Sequence, residues 1–133
     1  MAETVEFELV SPARLLKSEP VEMVVVPGSE GDIGVLPGHS PLIATVRPGV
    51  IEIHEGGDIK ERIFVAGGFC EISPERCTVL AEEAIEVSSI DKATTQKRLE
   101  DANSLWKNAD GISKSKADVE RRIAEAMLAA AAG

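Results

Sequence analysis

Aromatic side chains are scarce in this sequence: three Phe, one Trp and no Tyr among 133 residues. A protein that grips single-stranded nucleic acid by stacking bases on rings needs more of them, so that class is excluded. Positive charge is also in short supply. Fourteen Lys and Arg face 23 Asp and Glu, for a formal net charge of −9. Such a surface repels phosphate backbones and anionic lipid alike, which points to proteins as partners and to no nucleic acid among them. Long apolar runs are missing as well: the longest, Met23–Val26 and Ala126–Ala132, fall well short of the roughly 20 residues that cross a bilayer. No direct membrane insertion is expected. The opening, MAETVEFELV, is acidic and shows neither a basic n-region nor an apolar h-region, so the chain is expected to stay in the compartment where it is made. Two cysteines, Cys70 and Cys77, are too few for a disulfide framework, and both lie in strand-like sequence where Cys acts as a small hydrophobe. Two histidines, His39 and His54, cannot assemble a His-rich metal site.

What is present divides by period. From Thr4 to Val87 the pattern is short and alternating, with Val5, Phe7 and Leu9 on one face of a strand and Glu6 and Glu8 on the other. Further strand-like runs follow at Leu15–Lys17, Val21–Val26, Leu42–Val46, Val50–His54, Ile59–Val65, Phe69–Ile72 and Thr78–Leu80. Nearly every gap between them carries turn chemistry, from Ser11-Pro12 through Pro27-Gly28, Pro37-Gly38 and Pro48-Gly49 to Ser73-Pro74. The clearest hairpin is IEIHEGGDIKERIFV, where Gly56 and Gly57 supply the positive φ of a tight turn. Many short strands at close spacing predict a mainly β fold, an antiparallel β-sandwich or flattened barrel. If Pro74-Glu75 is the tip of its turn, Ile72 opposes Cys77 and Cys70 is only a diagonal neighbour, which leaves the two thiols unpaired.

After Val87 the period becomes helical. Ser88 with Asp91 resembles a capping box, and Thr95, Leu99, Ala102, Trp106 and Ala109 share one stripe. Asn108–Gly111 breaks this helix, and Ser115 and Asp118 are candidate caps for a second one bearing Val119, Ile123, Ala126, Met127 and Ala130. The two form a C-terminal antiparallel helical hairpin with Ala-rich facing surfaces, held only marginally on the sandwich and therefore able to move. Domains are expected at 1–88 and 89–133. Charge follows the same boundary: sixteen acidic and six basic residues before it, seven acidic and eight basic after it. Trp106 stands alone on the first helix, so its fluorescence should report the state of the hairpin.

No catalytic constellation emerges. Gly28, Gly31 and Gly34 fall at G-x-x-G-x-x-G without the G-K-S/T ending of a phosphate loop or the strand-to-helix setting of a dinucleotide site, so they read as shapers of two long loops between Pro27 and Gly49. Ser, His and Asp are present without a nucleophile elbow. Glu82 and Glu83 are adjacent in a strand and point to opposite faces, which suits solvated charge better than paired acid and base. Arg121 and Arg122, with Lys114 and Lys116, make the second helix locally basic and suited to an acidic partner surface.

Three strings carry a resemblance. FELVSPARLL, VPGSEGDIGVLPGHSPLIATVRPGVIEI and VAGGFCEISPERCTVLAEEA resemble the epsilon subunit of F-type ATP synthases, equivalent to the mitochondrial delta subunit, over essentially the whole chain. The resemblance implies a β-sandwich of about ten strands followed by a helical hairpin. It further implies a non-catalytic subunit of the central stalk, part of the rotor, which couples c-ring rotation to ATP synthesis in the catalytic head. The sandwich would pack on the gamma subunit, and the c-ring contacts map to Glu30, Gly31, Asp32 and His39. In bacterial members the hairpin can extend toward the catalytic beta subunit and hinder ATP hydrolysis, with Arg121 and Arg122 as contacts. Some members bind ATP through I/L-D-x-x-R-A, which falls here on Ile90, Asp91, Lys92, Ala93, Thr94 and Thr95. Thr94 replaces the arginine and Thr95 the alanine, which removes a phosphate partner, so no nucleotide site, cofactor or metal is expected. The implied location is the cytoplasmic face of a bacterial inner membrane, as a peripheral subunit. The competing reading is a free-standing β-sandwich adaptor with a helical tail, which would remain in the soluble fraction.

Overall fold

The computed structural model describes residues 3–133. Two compact units divide the chain, residues 1–86 and 87–133.

The first unit is built from ten strands: β1 (Val5–Val10), β2 (Leu15–Val21), β3 (Met23–Gly28), β4 (Gly31–Val35), β5 (Leu42–Val46), β6 (Gly49–Glu55), β7 (Asp58–Val65), β8 (Gly68–Ile72), β9 (Arg76–Ala81) and β10 (Ala84–Glu86). They form one sheet in the order β10-β7-β6-β3-β5-β8-β9-β1-β2, with β4 paired to β3. β3 is the corner: it pairs with β6 through Met23–Val25 but with β5 only at Gly28. There the sheet curls into two layers whose inner faces meet. Period-2 alternation then decides which residues fill the space between them. Val5, Phe7, Leu9, Val24, Val26, Ile51, Ile53, Val65, Ile72 and Val79 belong to one buried cluster that draws on all strands from β1 to β9. With Phe7 the one ring in that cluster, branched aliphatics do most of the packing.

Three features differ from the alternation read in the sequence. β4 lies inside the stretch expected to be loops only, because Gly31, Asp32 and Gly34 mask the alternation of Ile33 and Val35, which pair across to Val26 and Val24. β10 is a three-residue strand on β7. The pairing of β1 with β9 is parallel, whereas the other strand pairs are antiparallel. Glu6–Val10 register there against Arg76–Leu80, a pairing between segments too far apart in sequence for any turn signal to announce.

The edge strand β2 is tied to β7, next to the opposite edge, across a cavity of about 140 Å³ lined by Leu9, Leu16, Lys17, Glu61, Ile63 and the 84–86 strand. Lys17 of β2 reaches Glu61 of β7 at 3.0 Å and Glu19 at 3.6 Å. Burial works to lower the Lys17 pKa, but the hydrogen bond and charge of Glu61, helped by Glu19, outweigh it and leave it raised. This tie therefore persists through neutral pH and is lost as alkali passes the raised value. Ile72 opposes Cys77 and Cys70 opposes Val79, so both cysteines are buried and free, as the position of the turn tip predicts. Burial first, and the neighbouring Cys70 second, push the Cys77 thiol up to about 12.

In the second unit a 3-10 turn at Val87–Ser89 leads into α1 (Lys92–Asn108), followed by α2 (Gly111–Ala132). Asp91 caps α1 by accepting from the Ala93 and Thr94 amides, so the start lies beyond Ser88. Asp110 precedes α2, which places Ser115 and Asp118 within the helix rather than at its cap. The facing stripe is correspondingly rotated. Ala117, Ala124, Met127 and Ala130 are buried on α2, with Thr95 and Ala102 on α1, while Val119 is exposed. Thr95 Oγ1 donates to Asp91 O at 2.8 Å and lies 3.5 Å from Met127 Sδ. Because the start of α1 meets the end of α2, the helices run antiparallel.

Gly68 gives a direct test of the curl. Its φ is +143°, and a Cβ there would stand 1.9 Å from the Leu80 carbonyl oxygen. Gly68→Ala is expected to cost roughly 2–4 kcal/mol, seen as a lower urea midpoint. An unchanged midpoint would show that β8 and β9 do not need this close approach.

Candidate functional site

The β3–β4 hairpin carries the acidic loop. Gly28 closes it so tightly that a Cβ there would meet the Gly31 oxygen at 2.7 Å and Ile33 at 2.9 Å, and Gly31 takes φ +138° at the tip. Gly28–Ile33 and Leu42–Thr45 of β5 then line an open cleft of about 410 Å³. Glu30, Gly31 and Asp32 all lie on this cleft and are exposed. Arg47, which follows β5, donates from Nη1 to the Gly28 carbonyl at 2.6 Å and from Nη2 to Asp32 Oδ1 at 2.7 Å. His39 is placed differently: it does not line the cleft, its Nδ1 faces the Ser40 carbonyl at 2.6 Å, and the neighbouring Gly38 amide bonds Pro74 O in the β8–β9 turn. The structure thus groups three of the four loop residues and adds Arg47, which sequence reasoning missed. The signal available was a lone arginine beside the Pro48-Gly49 turn in an otherwise acidic region.

The outer face of the sheet supplies a second surface. Cross-strand registers place Leu15, Val10, Leu80, Phe69 and Thr45 in one row over β2, β1, β9, β8 and β5. Leu15, Leu80 and Phe69 are half or more exposed, and Ile43, one step along β5 on the same face, is 72% exposed. Ile43 also lines the cleft, so the apolar row and the acidic loop are contiguous. Farther along β1 and β9 the same face turns polar, with Thr78 Oγ1 donating to Glu8 at 3.1 Å and Arg76 paired to it at 3.5 Å.

On the hairpin, Arg121 and Arg122 share a carboxylate but not a setting. Asp118 accepts from Arg121 at 2.5 Å and pairs with Arg122 at 3.0 Å. Arg121 also lies over the Trp106 ring, 4.5 Å from its centroid, and Lys114 sits at 4.4 Å. Arg122 keeps a largely exposed side chain. Arg98 of α1 bonds Glu120 of α2. The hydrogen bond from Arg121 holds the Asp118 carboxyl below its ordinary value; desolvation opposes it, and the charges of Arg122 and Arg121 add to the lowering. At the start of α1, Ile90 is half-buried, and the Asp91 carboxylate is spent on the helix's own first amides, one of them that of Thr94. Among the described residues no three His, Cys, Asp or Glu side chains gather as a metal site. No helix among the described residues is long and apolar enough to cross a membrane.

These features, a curled ten-strand sheet with an acidic hairpin loop and a following helical pair, have counterparts in known proteins. Residues 4–87 match the family described as ATP synthase, Delta/Epsilon chain, beta-sandwich domain, and the chain belongs to that family. Among its relatives, the ATP synthase epsilon chain of Rhodospirillum rubrum is 55% identical over 100% of both chains. That of Paramagnetospirillum magneticum is 52% identical over 99% of this chain and 100% of its own. A chain of the Euglena gracilis mitochondrial ATP synthase, from the part that includes the c-ring, superposes with a TM-score of 0.82 at 26% identity, over 96% of this chain and 81% of that one.

The Asp118 cluster predicts an acid transition local to the hairpin. Its folded pKa is depressed, so the contribution of these ion pairs is complete above the ordinary 3.8 and is lost as pH falls through the lowered value. Trp106 emission should shift in that range, and Asp118→Asn should show the acid-type signal already at neutral pH. Identical titrations of both chains would show that Asp118 carries no part of the transition.

Proposed function

We propose that this chain is the non-catalytic epsilon subunit of an F-type ATP synthase central stalk, docked on the gamma subunit by its sandwich and offering the Glu30–Asp32 loop to the c-ring. The observation that carries the reading is the apolar row of Leu15, Val10, Leu80 and Phe69 with Ile43 beside it. A contiguous apolar surface rimmed by charge is the signature of a subunit interface. Its continuity with the acidic cleft suits a part that must grip one partner while touching a second. The near-complete coverage of the bacterial epsilon chains supports the same assignment. Rotation of the ring is then passed through gamma to the head, and the subunit performs no chemistry of its own. As a peripheral member it sits on the cytoplasmic face of the bacterial membrane.

The hairpin is the regulatory element in this proposal. Its facing surfaces are small, with Ala102 against a stripe of Ala117, Ala124 and Ala130, so little apolar area is given up when the helices part. Opening frees Arg121 from Trp106 of α1, while Asp118, on α2 beside it, stays paired; Arg121 then joins Arg122 in meeting an acidic surface of the catalytic beta subunit and hinders hydrolysis.

Two outcomes test the reading. Phe69→Ser combined with Leu80→Ser should cut the chain retained on washed membranes to about a tenth or less, because two apolar anchors that the partner would cover are lost; mild stripping without detergent should release the native chain. A double variant retained like the native chain would exclude this face. Deleting residues 89–133 should leave assembly intact and raise ATPase activity of the complex, and unchanged activity would count against inhibition by the hairpin.

A further inference from the structure

Resting on the loop-to-ring reading above, the geometry points to a division of labour that the sequence does not show. We propose that Arg47 is the positioning residue of the acidic loop: its guanidinium consumes Asp32 as a clamp and leaves Glu30 as the carboxylate offered to a hydrogen-bond-donating or basic segment of the partner.

The clamp has two ends on one rigid fork. Nη1 donates to the Gly28 carbonyl at 2.6 Å and Nη2 to Asp32 Oδ1 at 2.7 Å, so one planar group spans both strands of the β3–β4 hairpin across its last two pairs. The backbone sets this meeting up. Asp32 stands opposite Pro27 in the ladder, and the Arg47 amide donates to Pro27 O at 2.9 Å. Ser29 N donates to Thr45 O at 2.8 Å, which pins the other flank of the loop to β5. Arg47 is therefore delivered to Asp32 by main-chain bonds, whatever the side chains at the tip do. A lysine ammonium could neutralise Asp32 but is a point charge without the planar fork that spans both acceptors.

Glu30 is left over. It is exposed on the cleft, and it makes no hydrogen bond or ion pair among the described residues. Gly31 next to it has no atom within 4 Å of where a Cβ would stand, so a partner segment can reach Glu30 from the open side. With Asp32 neutralised, the loop presents one free negative charge rather than two repelling ones, at a place fixed by β3 and β5.

The test uses the assembled complex in inverted membrane vesicles and reads protons pumped per ATP hydrolysed, with incorporation of the chain measured in parallel. Arg47→Ala should incorporate and lower that ratio at least about threefold, as expected when a charge-assisted bridge is removed. Glu30→Gln should do the same. Arg47→Lys should recover less than half of the loss, and Asp32→Asn, which leaves the Gly28 bond in place, should cost less than half of what Arg47→Ala costs. Should Arg47→Ala fail to incorporate, Arg47→Gln, which keeps one donor for Gly28 O, replaces it in the same comparison. The proposal is overturned if Arg47→Ala or its replacement is silent, if Arg47→Lys equals the native chain, or if Asp32→Asn alone reproduces the full loss while Glu30→Gln is silent. Deleting residues 29–32 separates the two levels. An unchanged ratio after that deletion means that the loop touches no ring, and both readings fall; a large loss with silent point variants removes the clamp alone.

Discussion

The parallel pairing of β1 with β9 is the constraint on which the first unit depends. Glu6–Val10 lie against Arg76–Leu80, so the beginning of the unit is hydrogen-bonded to its penultimate strand. That single ladder inserts β1 and β2 at the end of the layer that contains β5, β8 and β9. Once it forms, Phe7 and Leu9 drop into the core beside Cys77 and Val79, and the sheet has a closed interior rather than an exposed apolar face. Its entropic cost is that of joining segments about 70 positions apart, a loop-closure term that grows only slowly with length and is offset by aliphatic burial. The Lys17–Glu61 tie then fastens the free edge that β2 leaves.

The same ladder decides what faces outward. Strand pairing puts Val10 beside Leu80, and Leu80 beside Phe69, because residues directly opposite one another share a face. The exposed row is thus the obligatory reverse of the buried one: the alternation that fills the core with Phe7, Leu9, Val79 and Cys70 leaves Val10, Leu80 and Phe69 on the other side. Nearer Glu8 and Thr78 the same face of β1 and β9 is polar. The exposed apolar face is written into the pleat, with no separate element to carry it.

Much of this is legible in the amino-acid sequence. Alternation located β1 and the β6–β7 hairpin because Glu6, Glu8 and the Gly56-Gly57 turn gave clean local signals. β4 stayed hidden because glycine and aspartate interrupt its alternation, and the parallel ladder stayed hidden because register between distant strands has no local signature. Helix starts were misplaced for a related reason. Ser88, Asp91, Ser115 and Asp118 all have capping chemistry, and only packing of Ala117, Ala124 and Met127 against α1 selects among the candidate frames. Of the site, the acidic loop and the basic pair were legible as residues but not as roles. Arg47 is fifteen positions from Asp32 and Asp118 is three from Arg121, and what each arginine does depends on which carboxylate the fold brings to it.

In the proposed function one continuous face, running from the apolar row into the acidic cleft, is the working surface of the first unit. Amide hydrogen exchange of the chain alone and in the intact complex measures this directly. Assembly should add protection to β5, β8 and β9 and to the Gly28–Asp32 loop, while β6 and β7 change little. Protection gained chiefly by β6 and β7, with the loop and β8 exchanging as in the free chain, would contradict it.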